Sequence, residues 1–374
     1  MKFTIDRADL LRSLNHVHSV VERRNTIPIL ANVLLKAEDD VLSLITTDMD
    51  LEIIESVSAK TLESGTTTVP ANTLYDIVRK LSNDSVIEIK STAGESTLQV
   101  KSGRSNFRLG CLPTEDFPEM GSDDKFAYNF AIPAENLRTL IDRTRFAISN
   151  EETRYYLNGI YLHATENEDM PVLRAVATDG HRLARFEMPL PEGAKDMLGA
   201  IIPRKTVNEV RKLIDEAGDD ISISLSENKI KFSFDHVSLT SKLIDGTFPD
   251  YDRVIPKGND KILEVDPSIF ASAVDRVSTI SNEKSRAVKL TVGGKTMVLS
   301  ANAPDSGSAS EEIEINFNSD PMEIGFNSAY LMDVAKQVSG ESGCRMYLSD
   351  SASPTIIQDI GDNSSLYVLM PMRV

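Results

Sequence analysis

The sequence contains no tryptophan, and its 374 residues include only two cysteines, Cys111 and Cys344. Neither cysteine belongs to a C-x-x-C pair, so a disulfide framework and a zinc ribbon are both unexpected. No apolar run approaches the roughly 18 residues of a membrane span, and Asp6 and Asp9 lie where a signal peptide would be apolar. These absences predict a cytoplasmic protein that is neither exported nor embedded in a membrane.

Common catalytic motifs are also absent. The sequence contains no G-x-G-x-x-G, no G-x-S-x-G and no H-E-x-x-H. Residues 292–296 read VGGKT and resemble the end of a phosphate-binding loop, but Lys289 stands where that motif requires its first glycine. A turn between two strands is the better interpretation. The sequence therefore predicts no cofactor.

Histidines offer two further candidates for chemistry. His16 and His18 lie in a helical pattern, in which residues two apart diverge, so we predict surface histidines and not a metal pair. Asp179 and His181 could form an acid–base pair, but Asp-Gly between apolar runs is foremost a hairpin signal. A hydrolase centred on His181 stays open as an alternative, whereas the pattern favours a protein without catalytic residues or a metal site.

The net charge is −17, with 40 Lys and Arg against 57 Asp and Glu. Such a chain should repel nucleic acid, because nonspecific DNA affinity comes from basic side chains that displace counterions from phosphates. Six predicted helical segments nevertheless carry a net charge of +6 and the rest of the chain −23; the segments are residues 8–24, 72–81, 134–148, 203–214, 266–286 and 327–338. Basic helices on one surface could bind a polyanion there, although the helix propensity of Lys and Arg explains the same pattern with solvated faces.

Four sequence landmarks recur three times in the same order. Each copy begins with a short strand pattern that leads into an amphipathic helix, as in the spacing of Leu10, Leu14 and Val17. A strand pair, a strand followed by a second helix, and a closing segment come next. The landmarks lie at residues 3–12, 29–48, 68–74 and 107–120 in the first copy, at 130–137, 157–179, 201–207 and 239–251 in the second, and at 263–270, 287–302, 324–330 and 366–371 in the third.

A repeat of about 130 residues has the size of an ordinary domain. The sequence therefore predicts three α+β domains of common ancestry, at residues 1–125, 126–256 and 257–374. The second copy differs from the others at one strand end, where residues 178–183 read TDGHRL. This hairpin indicates that the second copy has a function that the other two lack.

Four segments resemble the signature segments of one family, and they follow one another in the same order along the chain. They are residues 154–159, 178–183, 248–251 and 370–373. The family is the bacterial DNA polymerase III beta subunit, the DNA sliding clamp. The resemblance implies three DNA-clamp domains, with sheets outside and two helices per domain lining a central hole, in a head-to-tail dimeric ring. It implies a processivity factor that encircles duplex DNA and tethers the polymerase without catalysis.

The size of the ring supports two chains. Helices pack about 8 to 10 Å apart, so six of them in a circle leave an opening under about 10 Å, narrower than even the roughly 12 Å major groove of DNA. Twelve helices leave about 25 Å or more. Only a dimer could therefore pass a duplex. A scaffold of the same three domains that forms no ring is the alternative, and a mass measurement separates the two.

The resemblance also implies sets of binding residues. A pocket for a partner peptide would comprise Arg154, Leu157, Thr178, Gly180, His181, Arg182, Leu183, Pro249, Arg253, Val254, Val368, Met370, Pro371, Met372 and Arg373. DNA contacts would come from Arg24, Tyr155 and Tyr156, and the dimer interface from Arg104, Phe107, Leu109, Ile280, Glu311 and Glu312. Asn72 and Glu151 replace family residues at two DNA-contact positions, and Pro354 replaces a small polar residue at the pocket rim.

The partners that the resemblance implies are double-stranded DNA without sequence preference, a second copy of the chain, the replicative polymerase alpha subunit and a clamp loader. Translesion polymerases, ligase and mismatch-repair proteins are further expected partners. No membrane partner is expected.

Overall fold

The computed structural model describes residues 1–21, 26–91, 96–120, 125–281, 286–304, 306–338 and 342–373. Six α-helices lie in these ranges: α1 (Arg7–Val17), α2 (Ala71–Lys80), α3 (Ala134–Thr144), α4 (Arg204–Ile214), α5 (Pro267–Ser278) and α6 (Ser328–Ala335). The mixture of helices and antiparallel sheets confirms the predicted α+β class.

The strands of the described ranges fall into three runs along the chain. The first run is β1 (Lys2–Asp6), β2 (Asn32–Glu38), β3 (Val41–Thr47), β4 (Leu51–Ser58), β5 (Lys60–Glu63), β6 (Gly65–Pro70), β7 (Val86–Ser91), β8 (Thr97–Ser102) and β9 (Ser105–Gly110). The second is β10 (Tyr128–Pro133), β11 (Gly159–Asn167), β12 (Met170–Thr178), β13 (Arg182–Pro189), β14 (Ala200–Pro203), β15 (Asp220–Leu225), β16 (Lys229–Ser233) and β17 (Val237–Lys242). The third is β18 (Lys261–Val265), β19 (Ala287–Gly293), β20 (Thr296–Ala303), β21 (Gly307–Glu314), β22 (Asn316–Phe317), β23 (Met322–Asn327), β24 (Cys344–Leu348), β25 (Thr355–Asp359) and β26 (Ser365–Leu369).

The chain divides into two compact units. The first comprises Met1–Arg138, Pro191–Lys195 and Lys205–Leu243, and the second comprises Thr139–Leu190, Asp196–Arg204 and Ile244–Val374. The strands of the second predicted domain are thus shared between both units. The boundaries at residues 125 and 256 stay predictions.

The first unit contains two antiparallel sheets. The larger has the order β10-β15-β16-β17-β4-β3-β2-β6, and the smaller β5-β1-β7-β8-β9. Strand β17 of the second copy pairs with β4 of the first, with Leu239 opposite Ile53. Both side chains are buried, because alternate positions of a half-buried strand face the core. One sheet therefore continues from the first repeat into the second.

The second unit repeats this arrangement. Its larger sheet has the order β14-β11-β12-β13-β26-β25-β24-β18-β22, and its smaller sheet β21-β20-β19-β23. Here β13 of the second copy pairs with β26 of the third, with Leu183 opposite Val368. This join brings the hairpin of residues 178–183 beside the end of the chain.

The helices match the predicted segments at their starts better than at their ends. Helix α1 ends at Val17, seven residues before the predicted end, and α5 ends at Ser278, eight residues early. β-branched residues follow both ends, Val20 and Val21 after α1 and Thr279 after α5. Such residues lose rotamer freedom in a helix and favour its termination.

The shorter helices reduce the charge contrast that the sequence predicted. Within their observed bounds they hold 11 Lys and Arg and 7 Asp and Glu, a net charge of +4. Helix α4 alone contributes four basic residues and one acidic residue, whereas α6 has one acidic residue and no basic one. The positive charge of the helices is therefore concentrated in α4.

The prediction of a surface histidine at position 16 was wrong. The His16 side chain is only 10% exposed, and its ring nitrogens lie 2.7 Å from the Glu55 carboxylate and 3.1 Å from that of Glu216. His18 stacks on Tyr75 with ring centroids 4.0 Å apart. Helical periodicity could not reveal these partners, because they lie on other elements.

Several described features bear on the chemistry of the chain. No described helix is long and apolar enough to cross a membrane. In the same part of the chain, no group of three or more His, Cys, Asp or Glu side chains is arranged to hold a metal ion. Cys111 and Cys344 are both free thiols, and burial raises the pKa of Cys344 to about 12, with the Asp359 charge adding to the shift.

Candidate functional site

An apolar floor lies in the second unit where β13 meets β26. Leu157, Leu183 and Val368, three residues of the predicted pocket, are buried together there. The β13–β26 register places two of them opposite each other, and Leu157 ends the 3₁₀ segment Glu152–Leu157. The rest of this cluster consists of Val176, Ile201, Phe248, Tyr251 and Leu366.

The hairpin of the second copy forms one side of this floor. The Asp179 carboxylate accepts hydrogen bonds from the backbone N–H groups of His181 and Arg182, at 2.9 and 3.0 Å. The Thr178 hydroxyl accepts from Gly180 N and donates to Arg182 O. Since Asp179 binds the backbone of His181 and not its ring, the turn does not form the acid–base pair that was the alternative interpretation.

Gly180 is required at this turn for two reasons. Its φ is +87°, a conformation that side-chain-bearing residues rarely adopt. A Cβ at this position would also lie 2.6 Å from a guanidinium nitrogen of Arg154. Arg154 is itself held by the Glu151 carboxylate at 2.7 Å.

Arg182 is largely enclosed by contacts within the fold. Its guanidinium contacts Asp179, donates to the Asp333 carboxylate and to Phe146 O at 2.6 Å each, and lies 4.4 Å above the Tyr330 ring. Only 11% of the side chain is exposed. Arg182 therefore ties the hairpin to its surroundings, and its contact with a partner peptide stays a prediction.

The end of the chain forms the next side of the floor. Met370 N donates to His181 O at 2.9 Å, and Met372 N donates to Gly325 O at 2.8 Å. The Met370 side chain is 43% exposed, Pro371 and Met372 are half-buried, and Arg373 is exposed. These backbone bonds fix the C-terminal segment while its side chains remain accessible.

The segment of residues 248–254 forms the third side. Phe248 and Tyr251 are buried in the apolar cluster, whereas Pro249 and Val254 are exposed. Arg253 is also exposed and pairs with Asp250 at 2.7 Å. All fifteen predicted pocket residues lie in this one unit, and all but Arg154 of the 3₁₀ segment Glu152–Leu157 belong to the floor or to the three segments around it.

The predicted DNA-contact residues are described in part. Arg24 lies outside the described residues. Tyr155 is exposed and meets Tyr156 edge-on, with ring centroids 5.8 Å apart, and Tyr156 packs against the apolar cluster. Asn72 is half-buried in α2.

The predicted interface residues lie on or beside two edge strands. Phe107 and Leu109 are half-buried on β9, which ends the smaller sheet of the first unit, and Arg104 precedes that strand. Glu311 and Glu312 lie on β21, the edge strand of the smaller sheet of the second unit, and Ile280 follows α5. Glu311 already has an intrachain partner in Arg276, which donates to it at 2.9 Å. A contact between Glu311 and Arg104 of a second chain would therefore have to displace this pair.

Sequence reasoning missed Tyr330 and Asp333 of α6, both contacts of Arg182, because nothing in their spacing connects them with the hairpin. It also missed Asn259, whose side chain donates to Pro354 O at 2.8 Å near the changed rim position. These residues act through partners that are distant in sequence.

Models of one protein family match almost the whole chain. The N-terminal domain of the DNA polymerase III beta subunit matches residues 1–121, its central domain residues 131–250, and its C-terminal domain residues 252–373. The chain belongs to the DNA polymerase III beta subunit family. Members of this family are sliding clamps, noncatalytic subunits of the replicase that encircle DNA and tether the polymerase.

Individual relatives of this family are similar over their full length. The beta sliding clamp of Caulobacter vibrioides is 51% identical over 374 residues, and that of Escherichia coli K12 is 40% identical over 375 residues, with 100% of both chains covered in each case. A crystal structure of a sliding clamp from Bartonella birtlesii bound to griselimycin has 52% identity and a TM-score of 0.96. One of the Caulobacter crescentus clamp has 50% identity and a TM-score of 0.94. Both structures cover 100% of each chain. The fold prediction of three clamp domains is confirmed, and so is the prediction of a noncatalytic clamp.

Proposed function

We propose that the cleft above Leu157, Leu183 and Val368 binds a short peptide segment of the replicative polymerase alpha subunit. The observation that carries this proposal is the convergence of the hairpin, the chain end and the segment 248–254 around one apolar floor. Binding clefts are concave and mostly apolar, with a few polar groups that fix orientation. This cleft has those components.

Exposed apolar side chains favour a peptide ligand that presents apolar anchors. Met370 and Val254 are 43% and 51% exposed, although they border a buried cluster. Thioethers are flexible and adapt to different partners. Arg154, His181 and Arg253 supply the polar margin, because Arg182 is engaged within the fold.

The test is a titration of a labelled polymerase C-terminal peptide against the intact protein and a variant that lacks residues 370–374. We expect the deletion to weaken binding by several kcal/mol, as removal of a binding hot spot does. The solution mass of the variant should stay that of the intact protein, since the predicted interface residues do not belong to the deleted segment. Unchanged affinity in a folded variant would place the peptide site elsewhere.

For assembly, we propose that two chains join head to tail, with β9 of one chain against β21 of the other. Edge strands carry unpaired backbone N–H and C=O groups, which another strand can satisfy. The resulting ring would hold duplex DNA with Arg24, Tyr155 and Tyr156 near it. A chain with a net charge of −17 repels DNA as a whole. The ring would therefore stay on DNA because it encloses the duplex, and not because it binds the duplex tightly.

Retention of the protein on circular and on linear DNA tests whether it forms a closed ring. Once loaded by an ATP-driven clamp loader, the protein should stay on nicked circular DNA and be lost after linearisation. Equal retention on both forms would indicate ordinary surface binding by a scaffold without a ring. Short duplexes should bind weakly and with marked salt dependence.

We further propose that the clamp loader, translesion polymerases, ligase and mismatch-repair proteins use the same cleft in the cytoplasm. Because each chain offers one such cleft, these partners should compete with the polymerase peptide. Displacement of the labelled peptide by each purified partner measures that competition, and simultaneous binding would show a separate site.

A further inference from the structure

The segment of residues 248–254 carries side chains of two kinds. Phe248 and Tyr251 are 8% and 6% exposed, so they anchor the segment in the fold. Pro249, Arg253 and Val254 are exposed and belong to the proposed peptide cleft. The positions of the exposed side chains therefore depend on the contacts that fix the two buried rings.

Phe248 is held by aromatic stacking. Its ring lies 4.9 Å from the Tyr161 ring with an interplanar angle of 8°, and Tyr161 stacks in turn on His163 at 4.7 Å. Offset aromatic contacts contribute about 0.5–1.5 kcal/mol beyond burial but leave rotation within the stacking plane. Stacking alone does not fix the direction in which the segment leaves the sheet.

Tyr251 is held by directional hydrogen bonds. Its hydroxyl oxygen lies 2.9 Å from Arg174 Nη1 and 2.9 Å from His163 Nε2. A guanidinium can only donate, so the phenol oxygen accepts from Arg174, and it shares a second hydrogen bond with His163 Nε2 whose direction follows the imidazole tautomer. The Glu187 carboxylate in turn holds Arg174 at 2.7 Å, and both members of this pair are buried.

We propose that Tyr251 is a positioning residue for the peptide cleft: its bonds to Arg174 and His163 fix the segment 248–254 and so place Pro249 and Val254 against the ligand. This role rests on the proposed peptide-binding function of the cleft. The contact with strands β11 and β12 runs through Arg174, which is buried, and His163, which is half-buried.

The network predicts that peptide binding weakens in acid. Burial lowers the pKa of His163, and the Arg174 charge lowers it further, so the ring is neutral near neutral pH. Protonation of His163 makes both ring nitrogens donors and adds a second positive charge beside the buried Arg174 guanidinium, which weakens this network. The groups that face this ring are Tyr161 on its own strand, Arg174 on β12, Glu187 on β13, and Tyr251 and Asp252 on the segment.

Three variants of the full-length protein test the role with the labelled polymerase peptide. Tyr251→Phe keeps the ring and removes the hydroxyl, and we expect a loss of affinity of roughly tenfold, the size expected for a hydrogen bond to a charged partner. His163→Leu should show a similar loss. His163→Gln replaces the ring nitrogen with a neutral amide that can donate or accept a hydrogen bond, and it should keep the affinity within about twofold.

The pH dependence separates positioning from a general loss of structure. The intact protein should bind more weakly at about pH 5 than at about pH 7.5, whereas His163→Gln should show a smaller difference, because its amide does not titrate in this range. His181 is present in both proteins and therefore does not distinguish them. Tyr128→Phe, which removes a phenol hydroxyl in the other unit, should leave affinity unchanged, and solution mass and thermal midpoint check that each variant is folded.

Two outcomes would overturn the positioning role. In the first, Tyr251→Phe binds peptide as tightly as the intact protein, while deletion of residues 370–374 abolishes binding. The assignment of the cleft would then stand, but Tyr251 would have no positioning role. His163→Gln could also keep the full pH dependence. If the deletion has no effect either, the cleft assignment itself fails.

Discussion

The Arg182 guanidinium donates to the Asp333 carboxylate at 2.6 Å and so joins the hairpin of the second repeat to helix α6 of the third. The same side chain donates to a backbone carbonyl and stacks on Tyr330. Residues that we predicted to meet a ligand and residues that hold the fold together thus occupy the same short hairpin. The consequences of changing them differ accordingly.

Substitution of Arg182 should therefore destabilise the protein as well as weaken peptide binding. Arg182→Ala leaves the Asp179 and Asp333 carboxylates without their partner and removes the hydrogen bond to Phe146 O. We expect a loss of about 2–4 kcal/mol in the unfolding of this region, because a partly buried charge loses its compensation. Urea denaturation followed by circular dichroism measures the loss.

Arg253 provides the matched control for this prediction. Its ion pair with Asp250 is similar in length, at 2.7 Å, but 84% of the side chain is exposed. Such surface pairs contribute about 0–1 kcal/mol. Arg253→Ala should therefore affect peptide affinity with little change in stability, and equal denaturation midpoints for the two variants would contradict the role assigned to Arg182.

Gly180→Ala should weaken the cleft by two separable effects. An alanine at φ +87° is strained, and its Cβ would lie 2.6 Å from a nitrogen of Arg154. Gly294→Ala, in the turn between β19 and β20, offers a control with φ +60° and nothing within 4 Å of the added Cβ. The control should lose about 1 kcal/mol of stability from backbone strain, and the Gly180 variant should lose more and bind peptide less tightly. Equal losses and unchanged affinity would show that Arg154 moves aside freely.

Local patterns in the sequence predicted more of the fold than of the site. Alternating strands and helical spacing identified the repeats and the buried faces, as at Leu10, Leu14 and Val17, because those signals depend on neighbouring residues. The hairpin at residues 178–183 was recognised for the same reason. Residues such as Tyr330 and Tyr251 act on partners about 80 to 150 residues away, and no periodicity encodes such a contact. The resemblance to a family named pocket residues, but it did not distinguish Arg154, whose side chain is 35% exposed, from the more enclosed Arg182 at 11%.

His16 should make the first unit less stable as the pH rises. Burial opposes protonation of this ring, but the hydrogen bonds and charges of Glu55 and Glu216 outweigh it and raise its pKa above 6.5. A raised pKa in the folded state means that the proton stabilises the fold. This stabilisation is fully present below the pKa of His16 in the unfolded state, about 6.5, and is lost as the pH rises through its raised pKa in the folded state.

Amide hydrogen exchange of α1 and β4 between about pH 6 and about pH 9 measures this effect, after correction for the intrinsic pH dependence of exchange. His16→Gln should remove the pH-dependent part of the protection. His18→Gln is the control, because that ring stacks on Tyr75 and has Leu14 O as its hydrogen-bond partner. A pH profile that survives in His16→Gln would assign the dependence to another group.

The edge strand β9 supplies the sharpest test of assembly. Phe107 and Leu109 are two residues apart, so both lie on the same face of this strand, and both are half-buried in the single chain. A second chain that covers this edge would bury them further. The solution mass should accordingly be near twice the 41.2 kDa of the chain, and Phe107→Glu should shift it towards that of one chain, because the new carboxylate would be desolvated without a partner. Leu62→Glu is the matched control: it lies on β5, the opposite edge of the same sheet, and is 51% exposed. Sedimentation at micromolar concentration should find Leu62→Glu dimeric and Phe107→Glu monomeric, and a dimer in both cases would show that β9 is not the surface through which the ring closes.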